Sequence, residues 1–134
     1  MAERLVIAID GPSGSGKSTT SRAVAQRLGL SYLDTGAMYR AVTCAFLDAG
    51  VDPSDTEGVT RATLEAELAI STDPDDQWVS VNGADVTERI RSQEVASVVS
   101  AVSTLAACRA NLVARQRAIM DAAPRGIVAE GRDI

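Results

Sequence analysis

The 134-residue chain contains no histidine, which excludes imidazole-based catalytic triads and histidine metal sites from the outset. Lysine is nearly as scarce: Lys17 is the only one among thirteen basic residues, the rest being arginine. The two cysteines, Cys44 and Cys108, lie far apart in helix-like segments. They read as buried, reduced thiols rather than as a disulfide or metal pair, which points to the cytoplasm. No apolar run approaches the length of a membrane span, and the first residues do not read as a signal peptide, so no membrane partner is expected.

What is present describes a soluble globular domain, with 46% hydrophobic and 23% charged residues. The net charge of −5 is unevenly spread. Residues 48–94 hold twelve of the eighteen acids but only Arg61, Arg89 and Arg91 of the bases, leaving the remainder basic. An acidic middle beside a basic remainder suits a protein that handles anions at one site, and does not describe a surface that coats nucleic acid.

Hydrophobic periodicity gives an alternating β/α chain. "RLVIAI" (4–9) reads as a strand buried on both faces of a parallel sheet. A helix follows over about 17–28, with Val24, Ala25 and Leu28 on its inner face, stopped by Gly29. "LSYLD" (30–34) is extended, and Thr35 caps a helix over about 36–49 that buries Ala37, Ala41, Val42, Ala45 and Phe46 before Gly50. Ser54 or Asp55 opens a short helix to about Ala66. Alternating runs near 68–72 and 78–82, split by "DPDD" and followed by an Asn82-Gly83 turn, form a small antiparallel insertion. Helices at about 92–104 and 105–121 precede a second buried strand, "GIVAE" (126–130). The domain reading is a core over 1–52, an insertion over 53–104 and a return to the core over 105–134. Two convincing parallel strands do not close a doubly wound core, so further strands and helices are expected on the C-terminal side.

The strand at 4–9 runs into "GPSGSGKST", residues 11–19. Gly11-x-x-x-x-Gly16-Lys17-Ser18, set between a strand and a helix, is a complete P-loop. Its glycines let successive N–H groups turn inward as an anion nest, and the following helix adds its positive end. Gly11, Pro12, Ser13, Gly14, Ser15, Gly16, Lys17, Ser18 and Thr19 are therefore expected to bind a nucleoside triphosphate. Lys17 reaches the β- and γ-phosphates, and the Ser18 hydroxyl ligates Mg²⁺.

Three further stretches concentrate polar chemistry. "LDTGAMYR" (33–40) gathers Asp34, Thr35, Tyr39 and Arg40 where a strand enters a helix, an arrangement that a merely capped helix also produces. Residues 90–117 carry Arg91, Ser100, Arg109, Arg115 and Arg117 on helices, where arginine commonly makes a solvated face. "VAEGRD" (128–133) follows a buried strand at the edge where open α/β sheets bind ligands, although a tight turn has the same composition.

Together these stretches resemble the bacterial cytidylate kinase family, whose members move a phosphoryl group from ATP to CMP or dCMP. "IDGPSGSGKST", "LDTGAMYR", "IRSQEVAS" and "RQR…GIVAEGRDI" carry the likeness, which spans essentially the whole chain. The resemblance implies a P-loop nucleoside-triphosphate-hydrolase-like α/β fold with an antiparallel insertion in the monophosphate-binding region. It implies that Thr35, Arg40, Ser100, Arg109, Arg132 and Asp133 contact CMP, with Tyr39 and Arg91 as further candidates. Asp34 and Glu130 stand where an acidic residue organises the metal's water shell; many members have aspartate at the latter position. Lys17, Arg132 and Asp133 are the catalytic candidates. The implied ligands are ATP, Mg²⁺ and CMP or dCMP, for a monomer that binds neither nucleic acid nor membrane.

Thymidylate- or shikimate-type kinases are the nearest alternative. A GTPase-like switch lacks its "NKxD" run here, and a non-catalytic nucleotide-binding scaffold is a third class. Family members continue well beyond the "GRD" loop into lid arginines and adenine-side contacts. The 134-residue chain alone is accordingly expected to be inactive, and full-length-like turnover in a radiolabelled transfer assay with CMP would refute this.

Overall fold

A computed structural model of the chain describes residues 4–10 and 17–131, the side chains of Lys17 and Ser18 excepted. Two compact units divide it: Met1–Gly36 with Ser71–Gln77 and Gln116–Ile134, and Ala37–Ile70 with Trp78–Arg115. The insertion read at 53–104 falls in the second unit apart from loop 71–77, and that unit also takes in 37–52 and 105–115.

The first unit is built on a three-stranded parallel sheet in the order β1 (Leu5–Asp10), β6 (Gly126–Gly131), β2 (Ser31–Asp34). The parallel sheet and its helix match the fold class expected from sequence. The register pairs Leu5 with Gly126 and Asp10 with Gly131 on one side of β6, and Ser31 with Ile127 and Asp34 with Glu130 on the other. Helix α1 (Lys17–Leu28) ends at Gly29 as expected and packs Ala25 and Val24 with Ile7, Ile9, Leu30, Tyr32 and Val128.

Two expectations are corrected here. The opening strand is not buried on both faces: Leu5 and Val6 are 46% and 51% exposed. With β6 in the middle, β6 takes the doubly covered position and is buried along its whole length, while β1 is an edge of this sheet. Leu28 is likewise half exposed, because the inward stripe of α1 runs through Ser21 and Ala25 and ends before the last turn.

Loop 71–77 belongs to this unit through specific bonds. The Tyr32 amide donates to Thr72 O at 2.9 Å, the Arg22 guanidinium to Pro74 O at 3.2 and 3.4 Å, and Gln26 Nε2 to Asp75 Oδ1 at 2.9 Å. The "DPDD" turn is thus docked on α1 rather than merely solvated.

The second unit packs around α2 (Thr35–Asp48), in which every residue from Ala41 to Phe46 is buried. Against it lie Val59 of α3 (Thr56–Glu65) and Val79 and Val81 of β4 (Val79–Val81). Val95 of α4 (Gln93–Val98), Val102 of α5 (Ser100–Ser103), and Cys108 and Leu112 of α6 (Ala106–Ala122) complete this core. Each fully buried valine or leucine contributes roughly 1.5–3 kcal/mol relative to exposure. Asp55 caps α3 by accepting from the Gly58 amide at 3.0 Å, worth about 1 kcal/mol.

The insertion forms the antiparallel sheet β3 (Leu68–Ile70), β4, β5 (Ala84–Asp85). Asn82 and Gly83 join the last two with φ of 52° and 82°, the left-handed pair that a two-residue hairpin demands. The single helix expected over 92–104 is broken at Val99. There Val102 N bonds to Val99 O, three residues back, in a run of valine and serine that holds a helix weakly. No single helix among the described residues is long and apolar enough to cross a membrane.

Gly126 opens β6 directly beside Leu5 of β1. Its φ is +117°, and a Cβ there would run into the main chain of Leu5. Gly126→Ala is expected to destabilise the protein by at least about 2 kcal/mol, since strand pairing and backbone strain both oppose it. A urea midpoint within error of the parent would contradict that.

Candidate active site

Parallel strands that end together bring their C-terminal residues side by side, and in the first unit these are Asp10, Asp34 and Glu130 with Gly131. Glu130 is the buried member, 2% exposed. A carboxylate so placed needs hydrogen bonds to offset its lost hydration. The Tyr32 hydroxyl donates to Glu130 Oε1 at 2.9 Å, and the Thr35 hydroxyl donates to the Glu130 main-chain oxygen at 2.9 Å. Residues from the β2–α2 junction therefore hold Glu130 by both side chain and backbone.

Alternation along the strands fixes which way this group faces. Tyr32 pairs with Val128 and Asp34 with Glu130, so all four side chains share one side of the sheet. Tyr32 and Val128 pack with Ala25 and Val24 of α1, so that side is the one α1 covers. Glu130 consequently stands on the face of the helix that begins at Lys17, immediately after the glycine-rich loop.

Of the sequence-derived candidates, the structure gathers Asp34, Thr35 and Glu130 at this strand edge. Thr35 is 3% exposed, and Thr19 is exposed on the first turn of α1. Gly11, Pro12, Ser13, Gly14, Ser15, Gly16, Arg132 and Asp133 lie outside the described residues, as do the side chains of Lys17 and Ser18. Tyr39 and Arg40, both half-buried, lie in the α2 portion of the second unit; Tyr39 packs against that unit's core. Ser100 opens α5, Arg109 lies on α6 and Arg91 closes the short 3-10 turn Arg89–Arg91; all three are exposed. The Arg109 and Arg91 guanidiniums make no ion pair among the described residues.

Other arginines have structural partners. The Arg115 guanidinium donates to Ala66 O at 2.9 Å and Thr63 O at 3.0 Å, closing the carbonyl end of α3. Arg89 pairs with Asp48 at 2.7 Å and Glu94 at 3.5 Å. The Asp48 bond, opposed by partial burial, holds this guanidinium still more firmly protonated. Burial pushes the Cys44 thiol up despite the nearby Arg89 charge, and Cys44 and Cys108 are both buried and free. The raised Cys44 thiol is not an activated nucleophile.

No cluster of three or more His, Cys, Asp or Glu side chains able to share an ion occurs among the described residues. The carboxylates at this strand edge, Asp34 and Glu130, are oxygen donors of the kind a hard cation such as Mg²⁺ takes while keeping several waters and leaning on substrate phosphates. They do not suit zinc or a redox metal. Tyr32, the hydrogen-bond partner of the Glu130 carboxylate, is the contact that the motifs do not contain. Its signal was present in "SYLD", where position 32 shares the face of position 34.

Comparison with known proteins fits this geometry. The family model described as Cytidylate kinase matches residues 7–134. Cytidylate kinase of Corynebacterium efficiens is 58% identical over 130 residues, covering 97% of this chain and 56% of the relative. That of Streptomyces griseus is 52% identical, with 97% of this chain and 56% of the relative covered. That of Mycobacterium avium is 47% identical over 134 residues, 100% of this chain and 58% of the relative. The chain thus spans little more than half the length of the curated relatives it matches.

Thr35→Val keeps shape while leaving a buried carbonyl of Glu130 without its hydroxyl partner. A loss of about 1–2 kcal/mol in stability is expected, read from urea unfolding; an unshifted midpoint would show that the bond contributes nothing.

Proposed function

The chain belongs to the cytidylate kinase family, and from that premise we propose that the whole protein transfers the γ-phosphoryl group of ATP to CMP or dCMP. The products are ADP and CDP or dCDP, a step of pyrimidine nucleotide metabolism, and the buried free cysteines suit a cytoplasmic setting. The observation that best supports this is Glu130, a buried carboxylate at the end of the strand beside the one that feeds the glycine-rich loop.

Phosphoryl transfer passes through a loose transition state and asks mainly for alignment and charge neutralisation, not a strong base. A chain without histidine meets that demand. Main-chain amides of residues 11–19 and the positive end of α1 would cradle the triphosphate. Lys17 would neutralise charge between the β- and γ-phosphates. Ser18 and, through water, Glu130 would hold Mg²⁺, which when bound adds further neutralisation of the phosphate oxygens. Asp34 would support the same water shell.

Arg40, Arg91, Arg109 and Arg132 would grip the acceptor's phosphate, since a planar guanidinium binds two phosphate oxygens at once. Thr35, Tyr39, Ser100 and Asp133 would recognise sugar and base. Polar groups matched to cytosine reject a base that leaves them unpaired. Arg132 and Asp133 follow directly on the Glu130-Gly131 strand end, so one short segment serves both metal and acceptor.

Coupled release of ADP, measured at the family's full length with a panel of CMP, dCMP, UMP, TMP and shikimate, tests the reading. CMP and dCMP are expected as the best acceptors, and Lys17→Ala is expected to lower kcat/KM by at least about 100-fold. Preference for TMP or shikimate, or a Lys17→Ala variant with unaltered turnover, would overturn it.

A further inference from the structure

We propose that Tyr32 is a positioning residue for the metal-side carboxylate: its hydroxyl holds Glu130 in the rotamer that serves Mg²⁺-ATP. This rests on the reading of Glu130 given above and adds to it a residue from a different strand.

The two groups are 98 residues apart in sequence and meet only because β2 lies beside β6. Tyr32 is 1% exposed and Glu130 2% exposed, and their oxygens stand 2.9 Å apart. The tyrosine ring is fixed by Ala25, Leu30 and Val128, with Val24, Ile7 and Ile9 around them. Packing alone is satisfied by phenylalanine at this position. A phenol there brings a polar atom into an apolar face, and the group it reaches is the acidic side chain at the ligand edge of the sheet.

A glutamate has three side-chain torsions and samples many rotamers unless something holds it. Here Thr35 anchors the Glu130 main chain and Tyr32 anchors Oε1, so the direction of the carboxylate is set before any ligand arrives. Outer partners of this kind orient metal-side groups and tune their affinity. The pairing is also specific to length. An aspartate at position 130 would draw the carboxylate back by about 1.5 Å, one C–C bond, and out of reach of the Tyr32 hydroxyl. The reach of glutamate and the hydroxyl of Tyr32 belong together as a unit.

ATP affinity at the family's full length, measured calorimetrically with Mg²⁺ and again in EDTA, distinguishes this role from simple packing. Tyr32→Phe is expected to reduce the Mg²⁺-dependent gain in ATP affinity about tenfold, leaving affinity in EDTA unchanged. Glu130→Asp, with the tyrosine intact, is expected to do the same. The double variant should be no worse than Glu130→Asp alone, because the two changes break one bond. Glu130→Gln should remove most of the gain. If Glu130→Gln does so while Tyr32→Phe changes affinity equally with and without Mg²⁺, or not at all, the Tyr32 proposal is wrong and the role of Glu130 stands. Should Tyr32→Phe fail to fold, a full Mg²⁺ gain in Glu130→Asp would overturn the proposal equally well. If Glu130→Gln keeps the whole gain, the metal-side reading of Glu130 fails, and the proposal falls with it.

Discussion

The pairing of β6 with β1 on one side and β2 on the other decides where chemistry can occur in the first unit. Because the three strands are parallel and in register, their C-terminal ends coincide, and Asp10, Asp34 and Glu130 arrive at one edge. The same register leads β1 into the glycine-rich loop at that edge and starts α1 from it. Gly126 lets β6 lie beside Leu5 of β1 at the opposite end, so one residue without a side chain supports the alignment five positions along. An antiparallel sheet would scatter these ends and leave each carboxylate at a different level.

Features determined by neighbours in sequence were legible without the structure. The Asp55 cap, the Asn82-Gly83 turn, the stops at Gly29 and Gly50 and the extent of α1 and α2 depend on contacts a few residues apart. Strand order was not legible, since it depends on which distant segments pair. "LVIAID" and "GIVAEG" have similar apolar patterns, yet one is an edge and the other fully buried. The break at Val99 lies in a weak valine and serine run, and which of its valines are buried is a further outcome that the local pattern does not name. Val95 and Val102 are both buried while Val98 and Val99 between them are only half-buried.

The site was legible in part for the same reason. The glycine-rich motif and the acidic strand end declare themselves in short stretches. The Tyr32–Glu130 contact spans almost the whole chain, and a tyrosine in a strand is ordinarily read as packing. Thr35 shows a different limit. Its position before a helix predicts a cap, a role for the hydroxyl oxygen as acceptor; the hydroxyl hydrogen goes to a carbonyl 95 residues away, which that position does not foretell. A buried donor takes the acceptor that tertiary structure places nearest, and local sequence does not name it.

Arginine content illustrates how one chemistry serves two ends in this chain. A guanidinium offers several donors in a fixed plane, which matches two phosphate oxygens and equally two carbonyls at the end of a helix. Arg115 uses that geometry on Thr63 and Ala66, and Arg4 uses it on Met120 and Ala123. Arg22 does so on the loop at Pro74, and Arg89 on two carboxylates. Counting arginines therefore overstates the anion-binding capacity of the sequence. Partners in the fold separate the two groups: those whose donors are already engaged hold helices and loops in place, while Arg91 and Arg109 remain exposed with no ion pair among the described residues. An anion competing for Arg115 would have to strip it from the carbonyls of Thr63 and Ala66, both buried residues. An anion meeting exposed Arg109 would break no such bond, and this difference in cost supports the proposal that Arg91 and Arg109, rather than Arg115, meet phosphate.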